Sequence, residues 1–284
     1  MATKLYKPTT PGQRGMTTQD MSEITTGSPQ RSLLVTKRRG SGRNNQGRIT
    51  TRHQGGGARK FYRIINFKME LGTKAIIEQI EYDPNRSARI ARIVETDGTH
   101  HYILAASGMS IGQTIESHSE APIEIGNRLP LKNIPIGSTV HAIELVPGRG
   151  AQLARSAGNS AQLIAKEEVY AQLRLPSGEI RRVHVNCTAS IGVIGNEQHQ
   201  NVKLGKAGRS RHIGIRPSVR GVVMNAVDHP HGGGDGGRHG IGGSKNHGAA
   251  PNTPWGQKTL GYKTRRRKST SQFIVRSRHA AKRK

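Results

Sequence analysis

The sequence predicts a mostly β protein with two small barrels in series, 64–126 and 127–202. Long, basic, irregular extensions, 1–63 and 203–284, flank them. Three observations carry this. First, charge is partitioned: residues 1–63 hold 13 Lys/Arg and 2 acids, 64–202 hold 13 and 14, and 203–284 hold 19 and 2. Second, the nearly neutral centre places its apolar residues in short β-branched runs between turn signals. Third, no segment keeps a helical period through three turns.

Composition limits what the extensions can do. Hydrophobic residues are 32% and aromatics 4%, below the roughly 45–50% apolar share of an ordinary globular domain. A net charge of +27 repels itself and calls for a polyanion. Cys187 is the single cysteine, which excludes an intrachain disulfide and a Cys-based zinc cluster within one chain and suits a reducing compartment. No run approaches the ~20 apolar residues of a membrane helix, and the first residues lack the apolar core of a signal peptide. Early Arg, Ser and Thr mimic an organellar presequence, against which Asp20 and Glu23 count.

In chain order, 1–36 is rich in Thr, Ser, Pro and Gly, and only Ser32-Leu33-Leu34-Val35 resembles an ordered patch. Cations interleaved with glycine and amides follow. Arg38, Arg39, Arg43, Arg48, Arg52, His53, Arg59 and Lys60 are candidate RNA contacts there, the bland alternative being a solvated tail. In the first barrel 64–67, 75–82, 88–96, 100–105, 111–115 and 121–125 read as strands. Asp97-Gly98 marks a hairpin because glycine tolerates the left-handed turn position. Asp83-Pro84-Asn85-Arg86-Ser87 is a second turn and presents Arg86. In the second barrel 140–146 and 162–165 come first. Val169, Ala171, Leu173 and Leu175 then alternate with polar residues as a half-buried strand does. Pro176-Ser177-Gly178 turns the chain, 179–185 returns and 188–194 closes the series. The loop 147–159 interrupts it with small residues and carries Arg149 and Arg155.

The carboxyl extension centres on Met224-Asn225-Ala226-Val227-Asp228-His229-Pro230-His231-Gly232-Gly233-Gly234, followed by Asp235 to Gly240. With no apolar period it cannot be an ordinary helix or strand, and it is expected to take its shape from an external mould. Gly232, Gly234 and Gly237 match a dinucleotide fingerprint only formally, since no strand precedes them and no helix follows. Gly205-Lys206-Ala207 lacks the remaining parts of a phosphate-binding loop. Asp228, His229, His231, Asp235, His239 and His247 suggest a metal or acid–base centre. However, zinc needs about four convergent, well-supported ligands, and acid–base work needs a water-excluding pocket. A glycine run provides neither. Asn225, Asp228, His229, His231 and Arg238 are read instead as groups that stack on bases or bond phosphates and 2′-hydroxyls. Lys206, Arg209, Arg211, Arg216, Arg220, Lys263, Arg265, Arg266 and Arg267 suit phosphate, arginine through its planar fork. Trp255 is either a local packing plug or a base-stacking platform. No helix offers itself to a DNA major groove, so structured RNA is the better partner.

Several motifs together resemble the bacterial-type ribosomal protein L-two family of the large subunit. They are Asn44-Asn45-Gln46-Gly47-Arg48-Ile49-Thr50, Arg52-His53-Gln54-Gly55-Gly56-Gly57, Glu81-Tyr82-Asp83-Pro84-Asn85-Arg86-Ser87-Ala88-Arg89-Ile90 and Leu173-Arg174-Leu175-Pro176-Ser177-Gly178-Glu179. Leu204-Gly205-Lys206-Ala207-Gly208-Arg209, Val227 to Gly234 and the ending Phe273-Ile274-Val275-Arg276 complete the set. The resemblance runs from about Tyr6 to the last residues. It departs at Ala226, where the family usually has Pro, at His212, where it usually has Trp, and in a longer, more glycine-rich 240–249.

This resemblance implies an OB-fold-like barrel, then an SH3-like barrel, with extensions threaded into large-subunit rRNA. It implies a non-enzymatic structural constituent close to the peptidyl-transferase region and the subunit interface, acting in assembly and subunit association. Asp228, His229 and His231 would lie near functional rRNA. Expected partners are that rRNA, neighbouring ribosomal proteins and the small subunit, with no membrane and no homo-oligomer. No cofactor is expected beyond magnesium carried by the rRNA. The early start of the motifs leaves little room for a presequence and favours the bacterial cytoplasm. Competing readings are a hydrolase or acyl-transfer enzyme using His229 with Asp228, and a general nucleic-acid chaperone. Deleting 203–284 is expected to leave a folded body with little RNA affinity.

Overall fold

The computed structural model describes residues 3–37, 40–233, 251–260 and 263–278. The chain forms two compact units, neither contiguous in sequence. Met1–Arg38, Ala58–Arg209 and Ser269–Lys284 make the first; Arg39–Gly57 and Ser210–Lys268 make the second. Each basic extension therefore contributes to both.

The first unit opens with β1 (Thr3–Leu5) and β2 (Thr17–Gln19), paired antiparallel. The apolar patch at Ser32–Val35 becomes β3 (Leu34–Thr36), which pairs with β4 (Phe61–Arg63). The first barrel's strands are β5 (Thr73–Glu81), β6 (Ile90–Glu95), β7 (His100–Leu104) and β8 (Thr114–Ser117). The β6–β7 hairpin turns at Asp97-Gly98 as expected: Gly98 has φ 82° and the Asp97 carboxylate accepts the Thr99 N–H at 2.9 Å. The second barrel's strands are β9 (Arg128–Pro130), β10 (Thr139–His141), β11 (Ile143–Glu144), β12 (Ala151–Leu153), β13 (Ala161–Lys166), β14 (Tyr170–Arg174), β15 (Ile180–His184) and β16 (Thr188–Ile191). On β14 the expected alternation holds at Ala171 and Leu173, both fully buried, whereas Val169 lies before the strand and is exposed and Leu175, after it, is half-buried.

Adding β17 (Ile274–Arg276), one sheet runs β17-β15-β14-β13-β10-β16-β9-β8-β5-β6-β7. A parallel step, Ser117 opposite Arg128, passes from the first strand set to the second. Each set has its own core: Ala75, Ile77, Ala91, Ile93 and Ile115 in the first, and Leu129, Leu131, Val140, Leu163 and Leu173 in the second. The fold is thus mostly β, an OB-like strand set followed by an SH3-like one. Among the described residues helix is confined to short pieces, including α1 (Ala207–Ile213) and α2 (Lys268–Ser271).

Three expectations change. Residues 121–125 form no strand: Pro122 has no N–H to give, its carbonyl accepts the Asn127 amide at 3.0 Å, and Ile123 and Ile125 are exposed. The 64–67 stretch pairs only through Ile65, which bridges to Tyr102, the strand proper lying one step earlier at β4. The end of the carboxyl extension supplies an edge strand to β15, so removing 203–284 also strips a strand from the body.

Polar contacts fasten the amino-terminal extension to the first barrel. Arg89, 1% exposed, donates to the Asp20 carbonyl at 2.7 Å. The Thr25 N–H donates to the Ile80 carbonyl and the Ile80 N–H to the Thr25 hydroxyl, both at 3.0 Å. The Tyr102 hydroxyl accepts the Gln30 N–H at 2.9 Å and donates to the Glu81 carboxylate at 2.7 Å. In the second barrel Arg128 and Glu144 are buried 3.3 Å apart, and Glu144 also accepts the Gly150 and Thr188 N–H groups at 3.0 Å.

Buried His141 donates from Nδ1 to the Gly192 carbonyl at 3.1 Å. Burial pulls its pKa down to about 4 against the pull of that hydrogen bond, with Arg128 adding to the fall. A histidine depressed on folding contributes stability that is complete above its unfolded value near 6.5 and is lost as pH falls towards the folded one. His141 is therefore expected to remove roughly 3 kcal/mol of stability between pH 7 and pH 4. Urea titrations at several pH values check this: a His141→Asn variant should show a shallower acid loss than the parent.

Candidate nucleic-acid interface

In the first unit the sequence places Arg59 and Lys60 directly before the aromatics of β4, and the fold gathers further cations around them. The Arg59 guanidinium lies 5.7 Å from the Phe61 ring centroid, and Lys37 lies 5.8 Å from that of Tyr62. Arg86 is 5.9 Å from both the Tyr62 and Phe67 rings, and Arg155 is 4.8 Å from Phe67. The turn at 83–87 makes this arrangement firm. Buried Asp83 accepts from Arg86 Nε at 2.6 Å and from the Asn85 backbone at 2.8 Å, and Lys60 reaches the Pro84 carbonyl at 3.0 Å. Cations held over rings on a firm base form a surface for phosphate and for exposed bases.

Reading charge alone misses Tyr62 and Phe67. The signal lay in Arg59-Lys60-Phe61-Tyr62-Arg63, where bases and rings interleave. Arg149 is exposed on its loop. Lys206 is exposed, while half-buried Arg209 reaches the Thr17 carbonyl at 3.4 Å. Part of the 204–209 motif therefore holds the protein together: the Lys203 N–H donates to the Thr17 hydroxyl at 2.7 Å, and Gly205, φ 77°, leaves no room for a Cβ against the Gly12 carbonyl.

The second unit is built differently. The Asn44 side chain accepts the Gln46 and Arg48 N–H groups, each at 3.0 Å, and folds the Asn44–Arg48 motif into a tight turn bridged Arg43 to Ile49. The Gly55 N–H donates to the Gly214 carbonyl at 2.9 Å, the Arg216 N–H donates to that of His53 at 3.0 Å, and Gln54 bridges to Ile215. Between these segments lies a cleft of about 310 Å³ lined by Arg43, Arg52, His53 and Arg216 with no acidic residue. Arg48, Arg211, Arg220, Asn225 and Asp228 are exposed in the same unit, as are Lys263, Arg265, Arg266 and Arg267. Arg38, Arg39 and Arg238 lie outside the described residues, as do Asp235, His239, His247 and 240–249.

Trp255 is 79% exposed, which removes the packing-plug alternative. Its ring sits at the tip of a turn closed by the Gly256 N–H on the Thr253 carbonyl at 2.9 Å, and the Arg52 guanidinium lies 5.4 Å from its centroid.

His229 and His231 have an internal role. Each is only 8% exposed, and among the described residues of this unit they alone are buried. Their rings meet edge to face at 4.7 Å. The hydrogen-bond network assigns both as acceptors: the His231 N–H donates to His229 Nδ1 at 3.0 Å, and the Asn252 N–H donates to His231 Nε2 at 2.9 Å. The surrounding turn is closed by the Gly232 N–H on the His229 carbonyl at 2.9 Å and the Gly233 N–H on that of Met224 at 3.1 Å. Two glycines permit this packing. A Cβ on Gly221 would fall inside the His229 ring, and one on Gly232 would collide with the Met224 and Asn225 carbonyls. As far as Gly233, then, the motif shapes itself through its own backbone.

Burial first, then the charges of His231 and Arg52, lowers the His229 pKa. The packed turn is accordingly most stable above pH ~6.5 and loosens as pH falls below it. An NMR titration of the histidine ring protons should place the His229 midpoint below the ~6.5 of a free histidine. Gly232→Ala, by prising the turn open, should return it to that value; an ordinary midpoint in the parent protein would contradict the packing.

Among the described residues no group of three or more His, Cys, Asp or Glu is placed to hold a metal ion, and no helix is long and apolar enough to cross a membrane. Residues 30–117 match the family described as Ribosomal Proteins L2, RNA binding N-terminal domain. Residues 124–256 match Ribosomal Proteins L2, C-terminal domain. The first match spans β3 to β8 and the aromatic–cation surface apart from Arg155; the second spans Arg155, the SH3-like strands, the histidine pair and Trp255. Together they cover both barrels and much of both extensions: the chain belongs to the ribosomal protein L2 family.

Proposed function

We propose that the chain is a non-enzymatic constituent of the large ribosomal subunit that binds its rRNA through the aromatic–cation surface of the first unit and the arginine-lined cleft of the second. The observation that carries this is the second unit itself. It buries no apolar side chain among its described residues yet exposes a dense set of cations, a combination that a polyanion satisfies. In this reading the protein orders rRNA during assembly, supports association with the small subunit and braces the surroundings of the peptidyl-transferase region. It works in the cytoplasm beside neighbouring ribosomal proteins, as a single copy with no membrane contact, and needs no cofactor other than magnesium already carried by the RNA.

The enzyme alternative fares worse on local geometry. A carboxylate orients a catalytic histidine by accepting from its Nδ1–H, whereas His229 Nδ1 already accepts a backbone N–H and Asp228 is exposed. The contribution of Asp228, His229 and His231 near functional rRNA is to shape the turn that exposes Asn225 and Asp228. The chaperone alternative predicts equal affinity for random RNA and for rRNA.

Binding of the purified protein to large-subunit rRNA should weaken steeply with salt, with a log–log slope of several units. Replacing Arg59 and Arg155 with Gln should reduce that slope by about one for each phosphate that is no longer neutralised. A nearly salt-independent affinity, or an equal affinity for random RNA, would count against the proposal.

A further inference from the structure

We infer that the second unit captures one unstacked nucleotide of a single-stranded RNA segment, its base on the open face of Trp255 and its phosphate in the adjoining cleft of Arg43, Arg52 and Arg216. This rests on the RNA-binding reading above and adds which form of RNA the site takes.

Trp255 is exposed by construction. The turn that carries it is pinned by the Thr253 N–H on the Gln257 carbonyl at 2.8 Å and the Gln257 N–H on the Thr253 hydroxyl at 3.2 Å. Nothing apolar covers the ring, which stays 79% exposed. Arg52 backs one face at 5.4 Å, closer than the ~7 Å that a base inserted between two stacking partners would need. A base therefore takes the opposite face, with the guanidinium strengthening the ring's hold from behind.

Arg52 also lines the arginine cleft, so one side chain joins the stacking platform to the phosphate pocket. The cleft wall is held by the bridges Arg43 to Ile49 and Gln54 to Ile215, which keep Arg43 and Arg216 on opposing segments of one frame. Three cations without an acid select phosphate. A free ring face selects a base whose own face is free. An A-form duplex keeps its bases stacked and offers only backbone and groove edges, so it can satisfy the cleft but not the ring.

Trp255 is the only tryptophan in the chain, so its emission reports on this site alone. The full-length protein is titrated with an unstructured single-stranded RNA of about 16 nucleotides, and separately with the duplex that strand forms with its complement. Binding is followed independently by the anisotropy of a label on the RNA. The single strand should quench Trp255 in a saturable way, while the bound duplex should leave the emission nearly unchanged. Trp255→Ala should weaken single-strand binding roughly tenfold or more and leave duplex binding unaltered. Trp255→Phe should keep most of the affinity, which a merely structural role for the ring would not distinguish by RNA form. Equal quenching by the duplex would overturn the inference, as would anisotropy-detected binding of the single strand without quenching or a parallel weakening for both RNAs in Trp255→Ala. If neither RNA raises the anisotropy, the RNA-binding reading itself fails and takes the inference with it.

Discussion

Every buried hydrophobic side chain among the described residues lies between Ile65 and Ile194. That confinement governs the rest of the molecule. Two cores, built on Ile77, Ile93 and Ile115 and on Leu131, Leu163 and Leu173, account for the barrels. The extensions bury no apolar side chain fully, although Leu33 and Phe273 lean on the body, so their order depends chiefly on hydrogen bonds, close backbone approach or an outside partner. The structure uses the first two wherever a protein partner is within reach. Arg89, Thr25 and Gln30 fasten the amino-terminal extension through polar contacts, and β17 is held by its ladder to β15.

The second unit carries this to its limit. Where a domain of ordinary composition would place leucine, it places two histidines, each accepting a backbone N–H. Imidazole suits the position because one ring supplies both a flat packing surface and an acceptor for a donor that would otherwise lose its water. The neighbouring glycines follow from the same requirement. Gly221 lies against the His229 ring and Gly232 against two carbonyls, so any side chain at either would hold the partners apart. The density of glycine and histidine, which by itself suggests a loose arm, is what lets a segment with no buried apolar side chain pack on itself.

How much could be read in advance follows the range of the interactions. Asp97-Gly98 and Pro176-Ser177-Gly178 were legible because a turn depends on a few adjacent residues, and Gly178 indeed has φ 81°. The alternation along β14 was legible because a half-buried strand writes its period into the chain. The 121–125 run misled because Ile123 and Ile125 carry strand-like side chains on a backbone that Pro122 keeps out of a ladder. The joining of 39–57 with 210–268 was not legible, since its ladder through Gln54 and Ile215 links residues more than a hundred positions apart by backbone groups that every sequence possesses. The charge pattern marked Arg43, Arg52 and Arg216 individually; only the fold brings them to one cleft.

The same distinction separates arginines of identical type. Arg89 and Arg128 are buried, and burial lowers the pKa of each, while Arg89 donates to the Asp20 carbonyl and Arg128 lies 3.3 Å from the Glu144 carboxylate. Arg209 is half-committed, reaching a carbonyl of β2. Arg43, Arg52 and Arg149 are exposed, Arg52 beside an aromatic ring, while exposed Arg155 lies over Phe67 and also reaches the Ala151 carbonyl at 3.3 Å. A guanidinium already satisfied by protein gains little from phosphate, because its desolvation has been met elsewhere, whereas an exposed one exchanges only small counterions for it. Charge count thus overstates the RNA-facing surface. In the proposed function the residues that would meet RNA are those the two units leave turned to solvent, and an exposed ring such as Trp255 beside them would convert a general attraction for polyanions into a preference for bases that stand free of a helix.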